Sequence, residues 1–100
     1  MSHPSTTVSN MKKQARELQV GDITTIAGSR NGYWYTKNWV VEEVTVGIAF
    51  ITVRLTLHPS SQGGHGFRID DSKLLIIDIR HRDEEHEQLL VIGNISDKSI

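Results

Sequence analysis

The sequence predicts a single, mainly β domain of five to six short strands, arranged as a small barrel or as two packed antiparallel sheets. Residues 48–57 alternate between apolar and polar positions, which is the pattern of a half-buried strand. Residues 74–79 are almost continuously apolar, and turn-forming Gly residues separate the apolar segments. One hundred residues suffice for one core, and at most one or two short helices are expected.

Composition limits the class of protein. Hydrophobic residues make up 37% of the chain and charged residues 23%, which is ordinary for a globular domain. Cys is absent, so disulfides and thiolate metal sites are excluded, and a reducing cytoplasm is the expected location. No apolar run approaches the roughly 18 residues that cross a bilayer, so no membrane partner is expected.

Charge is distributed unevenly along a chain whose net charge is −1. Residues 1–82 have a small excess of Lys and Arg, whereas residues 83–100 are acidic. A nucleic-acid footprint usually needs a clear basic excess, so the charge favours a protein partner. The polar residues 1–10 are assigned to a disordered tail, residues 11–93 to the domain and residues 94–100 to a C-terminal tail.

The first elements are a short ordered segment, a turn and a strand. Residues 11–18 have apolar side chains at helical spacing, which predicts a short helix, with an extended segment as the alternative. Residues 18–22 predict a tight turn in which Gly21 takes a positive φ. Residues 23–27 predict a strand, and residues 28–32 a loop that ends in the Asn-Gly hairpin signal.

Two long strands are expected in the middle of the chain. Residues 33–46 are rich in aromatic and β-branched side chains, which favour a pleated, half-buried surface. Gly47 interrupts them as a turn or bulge. The alternating strand 48–57 follows, and Ile48 and Phe50 break its polar face, so we expect this end to be covered on both sides.

The segment after the central strands is expected to be irregular before it returns to a strand. Residues 58–66 predict a Gly-rich loop, residues 67–69 a short extended piece and Asp70-Asp71 a turn. The apolar run 74–79 predicts a strand that is buried on both faces.

Residues 83–92 fit two structures. Asp83 could cap a helix that ends at Gly93. Alternatively, residues 83–84 could form a hairpin loop, which is slightly favoured because it would create two favourable cross-strand pairs. These pairs would join Arg82 to Glu85 and Arg80 to Glu87.

One stretch of sequence resembles a known family. Leu18-Gln19-Val20-Gly21-Asp22, followed by a short strand and later by Trp39-Val40-Val41, is similar to the opening of small SH3-like β-barrel proteins, including uncharacterised phage and bacterial proteins. The resemblance implies an SH3-like barrel, and a phage-encoded modulator of a host protein would fit it. Self-splicing intein-type domains begin similarly, but the Thr-x-x-His block and the junction nucleophile are not found here, so splicing is rejected.

The groups that could carry chemistry do not form a catalytic or metal-binding pattern. His81 and His86 are five residues apart, which on a helix would separate their rings by about 140°. Asp70 and Asp71 are adjacent, and adjacent strand residues point to opposite faces. The serines of the 58–66 loop lack a nucleophile-elbow sequence. We therefore expect no catalytic residue, no metal site and no cofactor.

The most distinctive segment runs from Arg30 to Trp39 and holds four of the six aromatic residues. Trp39 is assigned to the core, and either Trp34 or the two tyrosines are expected to face solvent, because both sides of a strand cannot be core in so small a domain. Exposed aromatics beside cations are typical of interface hot spots and of base-stacking platforms. The candidate binding residues are Arg30, Tyr33, Trp34, Tyr35, Lys37, Arg54 and Arg68.

These observations predict a non-catalytic binding module that recognises another protein with its aromatic segment. A nucleic-acid-binding barrel is the alternative, with Arg30, Lys37, Arg54 and Arg68 as phosphate contacts. A small-ligand-binding protein or enzyme is the third reading. Exposed apolar strand edges pair readily, so we also expect that this chain can form homo-oligomers.

Overall fold

A computed structural model describes residues 11–30, 32–61 and 73–96 of the chain, without the side chains of residues 29, 30, 33–35 and 61. The described residues form six strands, which are β1 (Met11–Lys13), β2 (Asp22–Arg30), β3 (Tyr33–Val46), β4 (Phe50–Leu57), β5 (Leu74–Arg80) and β6 (Leu89–Asn94). Three short 3-10 turns lie at Ala15–Glu17, Pro59–Ser61 and His81–Asp83. The expected extended segment 67–69 and turn Asp70-Asp71 lie outside the described residues.

All six strands belong to one antiparallel sheet in the order β1-β6-β2-β3-β4-β5. The expectation of a mainly β domain is confirmed, and the strands form one sheet rather than two. β2 to β5 follow one another as a meander, and β6 returns to the free side of β2. Buried side chains from four of the strands and from the first 3-10 turn share one cluster, so the sheet curls around a single core.

The core is built on the alternation of β4. Ile51, Val53 and Leu55 are completely buried, whereas Arg54 between them is exposed, as the period of two predicted. Val41 of β3 and Trp39 complete this part of the core. Full burial of each such aliphatic side chain stabilises the fold by roughly 1.5–3 kcal/mol.

The beginning of β4 is exposed, so the expectation that it is covered on both sides is wrong. The strand begins at Phe50 because Gly47 donates its N–H to the Phe50 carbonyl at 2.8 Å and closes a tight turn. Ile48 lies in this turn with its side chain fully exposed, and Phe50 is 42% exposed. No second layer formed by the described residues covers this turn at the corner of the sheet.

β5 forms where the apolar run predicted a strand, but it is not buried on both faces. Leu75, Ile77 and Ile79 point into the core, whereas Leu74 and Ile76 are 51% and 56% exposed. As far as the structure describes the chain, β5 has a neighbouring strand on one side only, and its outer face is left largely uncovered. A run of apolar residues does not by itself show how many faces of a strand are covered.

Residues 11–18 do not form the predicted helix. β1 is extended, as the alternative allowed, and a single 3-10 turn follows it. Gln14 donates its backbone N–H to the Glu17 carboxylate at 2.9 Å, which fixes this turn. The turn buries Ala15 and Leu18 against the core, and this tertiary packing outweighs the weak helical tendency of so short a segment.

Two further expectations are corrected by the strand pairing. Residues 28–30 belong to β2 rather than to a loop. Residues 83–92 form neither a capped helix nor a hairpin with β5, because His81–Asp83 is a 3-10 turn and β6 begins at Leu89. β6 pairs with β2 and β1, so the expected pairs of Arg80 and Arg82 with Glu87 and Glu85 across a hairpin do not form.

The Leu-x-x-Gly-Asp segment joins three parts of the fold. Gly21 takes a φ of +95°, as predicted, and donates its N–H to the Val41 carbonyl at 2.8 Å. Its own carbonyl accepts the N–H of Ile95 at 2.9 Å. A Cβ at this position would lie only 2.9 Å from Oδ1 of Asn94, so both the backbone angle and the available space require Gly.

Asp22 is a buried carboxylate with three hydrogen-bond donors. The N–H of Gln19 and Nζ of Lys13 reach Oδ2 at 2.9 and 3.1 Å, and Nδ2 of Asn94 reaches Oδ1 at 3.0 Å. Burial raises the pKa of Asp22, but the hydrogen bonds from Gln19, Asn94 and Lys13 outweigh it and hold that pKa below its ordinary value. The carboxylate therefore fixes β1, β2 and β6 to one another.

A second polar network holds the first 3-10 turn against the third. Nε of Arg16 donates to the buried carboxylate of Glu84 at 2.7 Å, and this hydrogen bond lowers the pKa of Glu84. Nη2 of Arg16 also lies 3.1 Å from Nδ1 of His81, whose Nε2 lies 2.8 Å from the Gly47 carbonyl. A guanidinium can only donate and a carbonyl can only accept, so these two contacts are satisfied when His81 accepts at Nδ1 and donates at Nε2.

Replacing Arg16 by Gln is expected to lower the melting temperature at pH 7, because Glu84 would stay buried without its cation. The lowered pKa of Glu84 means that its contribution is present above its unfolded pKa of about 4.3 and disappears as the pH falls below that value. Thermal unfolding from pH 7 to pH 3 should therefore show the wild type and the variant converging. Arg54→Gln is the control, since its partners Glu42 and Glu43 are exposed. Equal losses for both variants would contradict the expectation.

Candidate functional site

The β2–β3 hairpin extends beyond the rest of the sheet. β6 pairs with β2 only at residues 22–25, and β4 pairs with β3 only at residues 39–46. Five further residue pairs join β2 and β3, from Ile26↔Lys37 to Arg30↔Tyr33. Among the described residues these five pairs have no third strand beside them, and we call residues 26–30 and 33–37 the arm.

The two strands of the arm meet at Gly32, within the Asn-Gly hairpin signal of the sequence, and Asn31 itself lies outside the described residues. Arg30 pairs with Tyr33, and Gly32 has a φ of +84°. A positive φ is what the two-residue hairpin turns that match strand twist require, and Gly adopts it without strain.

The base of the arm is braced by side chains. Thr25 donates its hydroxyl to Oδ1 of Asn38 across the two strands at 2.7 Å. Nδ2 of Asn38 donates to Oγ of Ser60 at 3.2 Å, and the N–H of His58 donates to the Asn38 carbonyl at 2.8 Å. The end of β4 and the turn that follows it therefore hold the arm in a fixed direction where it leaves the sheet.

The backbone of the arm brings together five of the seven predicted binding residues. Tyr33, Trp34 and Tyr35 are paired with residues 30, 29 and 28, so the three aromatic residues occupy the last three pairs before the turn, with Arg30 opposite Tyr33. Lys37 lies on the same arm and is half-buried. Trp39, which is 5% exposed, lies two residues below the arm in the core, as predicted.

The other two predicted residues do not join this site. Arg54 lies in the middle of β4 opposite Glu43, and Glu43 is six residues, or about 20 Å of strand, from Lys37. Its Nε is 3.5 Å from Glu42 and its Nη1 is 4.0 Å from Glu43, so two carboxylates offset its charge. Arg68 lies outside the described residues. No cluster of phosphate contacts that includes Arg54 is therefore assembled around the arm.

A groove that sequence reasoning missed runs between β5 and the β2–β6 pair. Its volume is about 350 Å³, and its apolar lining comes from Ile26 near the base of the arm, from Ile77 and Ile79 of β5, and from β6. Lys12 and Glu87 supply charged groups to its lining. No local sequence signal marks it, because its walls come from strands that are distant in the chain.

The side chains of His58 and Ser60 interact within one local turn. Oγ of Ser60 lies 2.8 Å from Nδ1 of His58, which also accepts the Ser60 backbone N–H at 3.0 Å. Both contacts join residues two apart and cap the 3-10 turn that begins at Pro59. Within the described ranges there is no group of three or more metal-ligating side chains.

No helix in the described part of the chain combines the length and the apolar character needed to cross a membrane. Comparisons with protein-family models, with curated proteins and with solved structures found no match for this chain. The geometry of the arm and its surroundings is therefore the basis on which a function is proposed below.

Proposed function

We propose that this chain is a non-catalytic binding module, built on a small SH3-like barrel, that captures a protein partner with the aromatic end of its arm. The observation that carries the proposal is the position of Tyr33, Trp34 and Tyr35 in a two-stranded ribbon with no flanking strand in the described structure. The curled sheet of short antiparallel strands supports the barrel.

The arm suits recognition because it combines rigidity with exposure. An isolated two-stranded hairpin is marginally stable in water, but this one continues strands that are anchored in the core and braced at Asn38. A preorganised ribbon loses little conformational entropy on binding. Aromatic side chains at such a position can each contribute 2 kcal/mol or more when a partner covers them.

The charges favour a protein over a nucleic acid. Phosphate binding requires unopposed cations along the surface. Arg54 is offset by two carboxylates, and the net charge of the chain is −1. A protein interface needs no such excess, because its energetic centre is formed by buried aromatic and apolar contacts.

An alanine scan separates this function from a purely structural role. We expect Trp34→Ala, and the double change of Tyr33 and Tyr35 to Ala, to leave the melting temperature nearly unchanged and to abolish partner capture. Thr36→Ala, at an exposed position on the same arm, is the control that should change neither property. If Trp34 and both tyrosines destabilise the fold when truncated, they belong to the core and the proposed function is wrong.

The partner is best identified by photocrosslinking in a lysate of the source cells. A photoreactive amino acid at Thr36 should crosslink to one protein, whereas the same group at the exposed Glu85 should not. Nuclease treatment should leave the crosslink intact, and rising salt should weaken it only modestly. Loss of the crosslink after nuclease treatment, with a steep salt dependence, would instead indicate a nucleic acid.

A further inference from the structure

Within the part of the chain that the structure describes, the outer edge of β5 presents backbone groups without a strand partner. Among the described residues β5 pairs with β4 alone. Leu57 donates its N–H to the Lys73 carbonyl, and His81 donates to the Ala49 carbonyl, so the odd-numbered residues of this segment bond to β4. The alternation of an antiparallel ladder then turns the amide and carbonyl groups of the even-numbered residues away from β4. These residues are Leu74, Ile76, Asp78 and Arg80.

Among the described residues, this edge lacks several of the features that usually prevent strand addition. β5 and β4 pair without a register shift, so no bulge bends the edge away. The strand contains neither Pro nor Lys, the residues that commonly protect an edge. Leu74 and Ile76 are half-exposed beside it. A second extended strand could therefore form backbone hydrogen bonds with β5 and continue the sheet, provided that its side chains complement those of β5.

The charged side chains of β5 indicate which strand would complement this edge. Asp78 and Arg80 flank Ile79, and both are exposed. Oγ1 of Thr52 donates to Oδ1 of Asp78 at 2.7 Å, and the guanidinium of Arg80 lies 5.9 Å above the Phe50 ring, so each side chain has a neighbour that holds it on the outer face. Opposite charges two residues apart are self-complementary when two identical strands run antiparallel.

We propose that β5 pairs with β5 of a second copy of this chain, about a two-fold axis at Ile79. In this register Asp78 of each copy lies opposite Arg80 of the other, which creates two symmetric ion pairs. Moving the axis to Asp78 would place the two aspartates opposite each other, and moving it to Ile77 would place Asp78 opposite Ile76. The charges therefore favour the register centred on Ile79.

The association is expected to be weak and dependent on concentration. A contact that is centred on three residues of each strand buries far less than the roughly 1,600 Å² of a standard stable interface. Sedimentation equilibrium from about 10 µM to about 1 mM, the range of weak complexes, should show a monomer–dimer equilibrium for the wild type.

Charge reversal tests the register. Asp78→Arg and Arg80→Asp should each weaken dimerisation at least about tenfold, because each places like charges opposite each other twice. The double variant should regain dimerisation, and an equimolar mixture of the two single variants should form a heterodimer. Arg54→Asp on the adjacent strand changes the net charge as Arg80→Asp does and should leave dimerisation unchanged.

Three results would overturn the proposal. They are a wild type that stays monomeric throughout the range, single variants that dimerise as well as the wild type, and a mixture of single variants that stays monomeric. Circular dichroism of each variant verifies that it is folded before association is measured. None of the changes touches the arm, so the outcome does not depend on the proposed function.

Discussion

Replacing Trp39 by Ala is expected to lower the free energy of unfolding by roughly 3–5 kcal/mol, the range for truncation of a core aromatic. Trp39 is 5% exposed and pairs with Thr24 on one side and Leu57 on the other, so its ring closes the core where the arm leaves the sheet. Removing the ring leaves a cavity, and the three strands paired at this point cannot easily move closer to fill it. The loss is a large share of the roughly 5–15 kcal/mol that stabilises a typical domain.

The measurement is urea denaturation followed by far-ultraviolet circular dichroism, because fluorescence would change with the tryptophan content. Trp39→Phe retains most of the buried volume and should cost much less than the Ala variant. A loss below about 1 kcal/mol for Trp39→Ala would show that the core does not depend on this ring.

Replacing Asp22 by Ala is expected to cost about 2–4 kcal/mol, because three donors lose a charged, buried acceptor at once. Asp22 is 2% exposed, so water cannot easily replace the carboxylate. The backbone N–H of Gln19 and the side chain of Asn94 would be left without this partner. Chemical denaturation at pH 7 gives the magnitude.

The dependence on pH identifies the carboxylate as the cause. The pKa of Asp22 is lower in the folded protein than in the unfolded chain, where it is about 3.9. Its contribution is therefore present above that value and is lost as the pH falls below it. Asp22→Asn is similar in size but cannot titrate, so the stabilities of the wild type and this variant should converge between about pH 4 and pH 2. Parallel curves would contradict the assignment.

Local patterns predicted much of the fold. β3 has the predicted bounds, residues 33–46, and the alternation in β4 identified Ile51, Val53 and Leu55 as core. The positive φ of Gly21 and the hairpin signal that includes Gly32 were also predicted, since such backbone angles depend on the residues at the turn itself.

The features that sequence reasoning missed depend on which strands become neighbours. The Arg and Glu residues of 80–87 fit a hairpin, but β6 instead pairs with β2 and β1. Leu74 and Ile76 are exposed because β5 lies at the edge of the described sheet. A run of apolar residues does not indicate where in a sheet its strand will lie. The groove was missed for the same reason, because its walls come from strands that are far apart in the chain.

The carboxylate of Asp22 also has a consequence for biosynthesis. Its hydrogen bond to Asn94 joins residues 72 apart, and among the described strands β1 pairs with β6 alone. While the chain is being translated, the first strand and this charged group must wait for almost the whole domain to emerge before they gain their native contacts. Pairings of such long sequence separation fold slowly, and incomplete chains expose unpaired strands. We therefore expect nascent chains that end before residue 89 to be sensitive to proteases and to depend on chaperones.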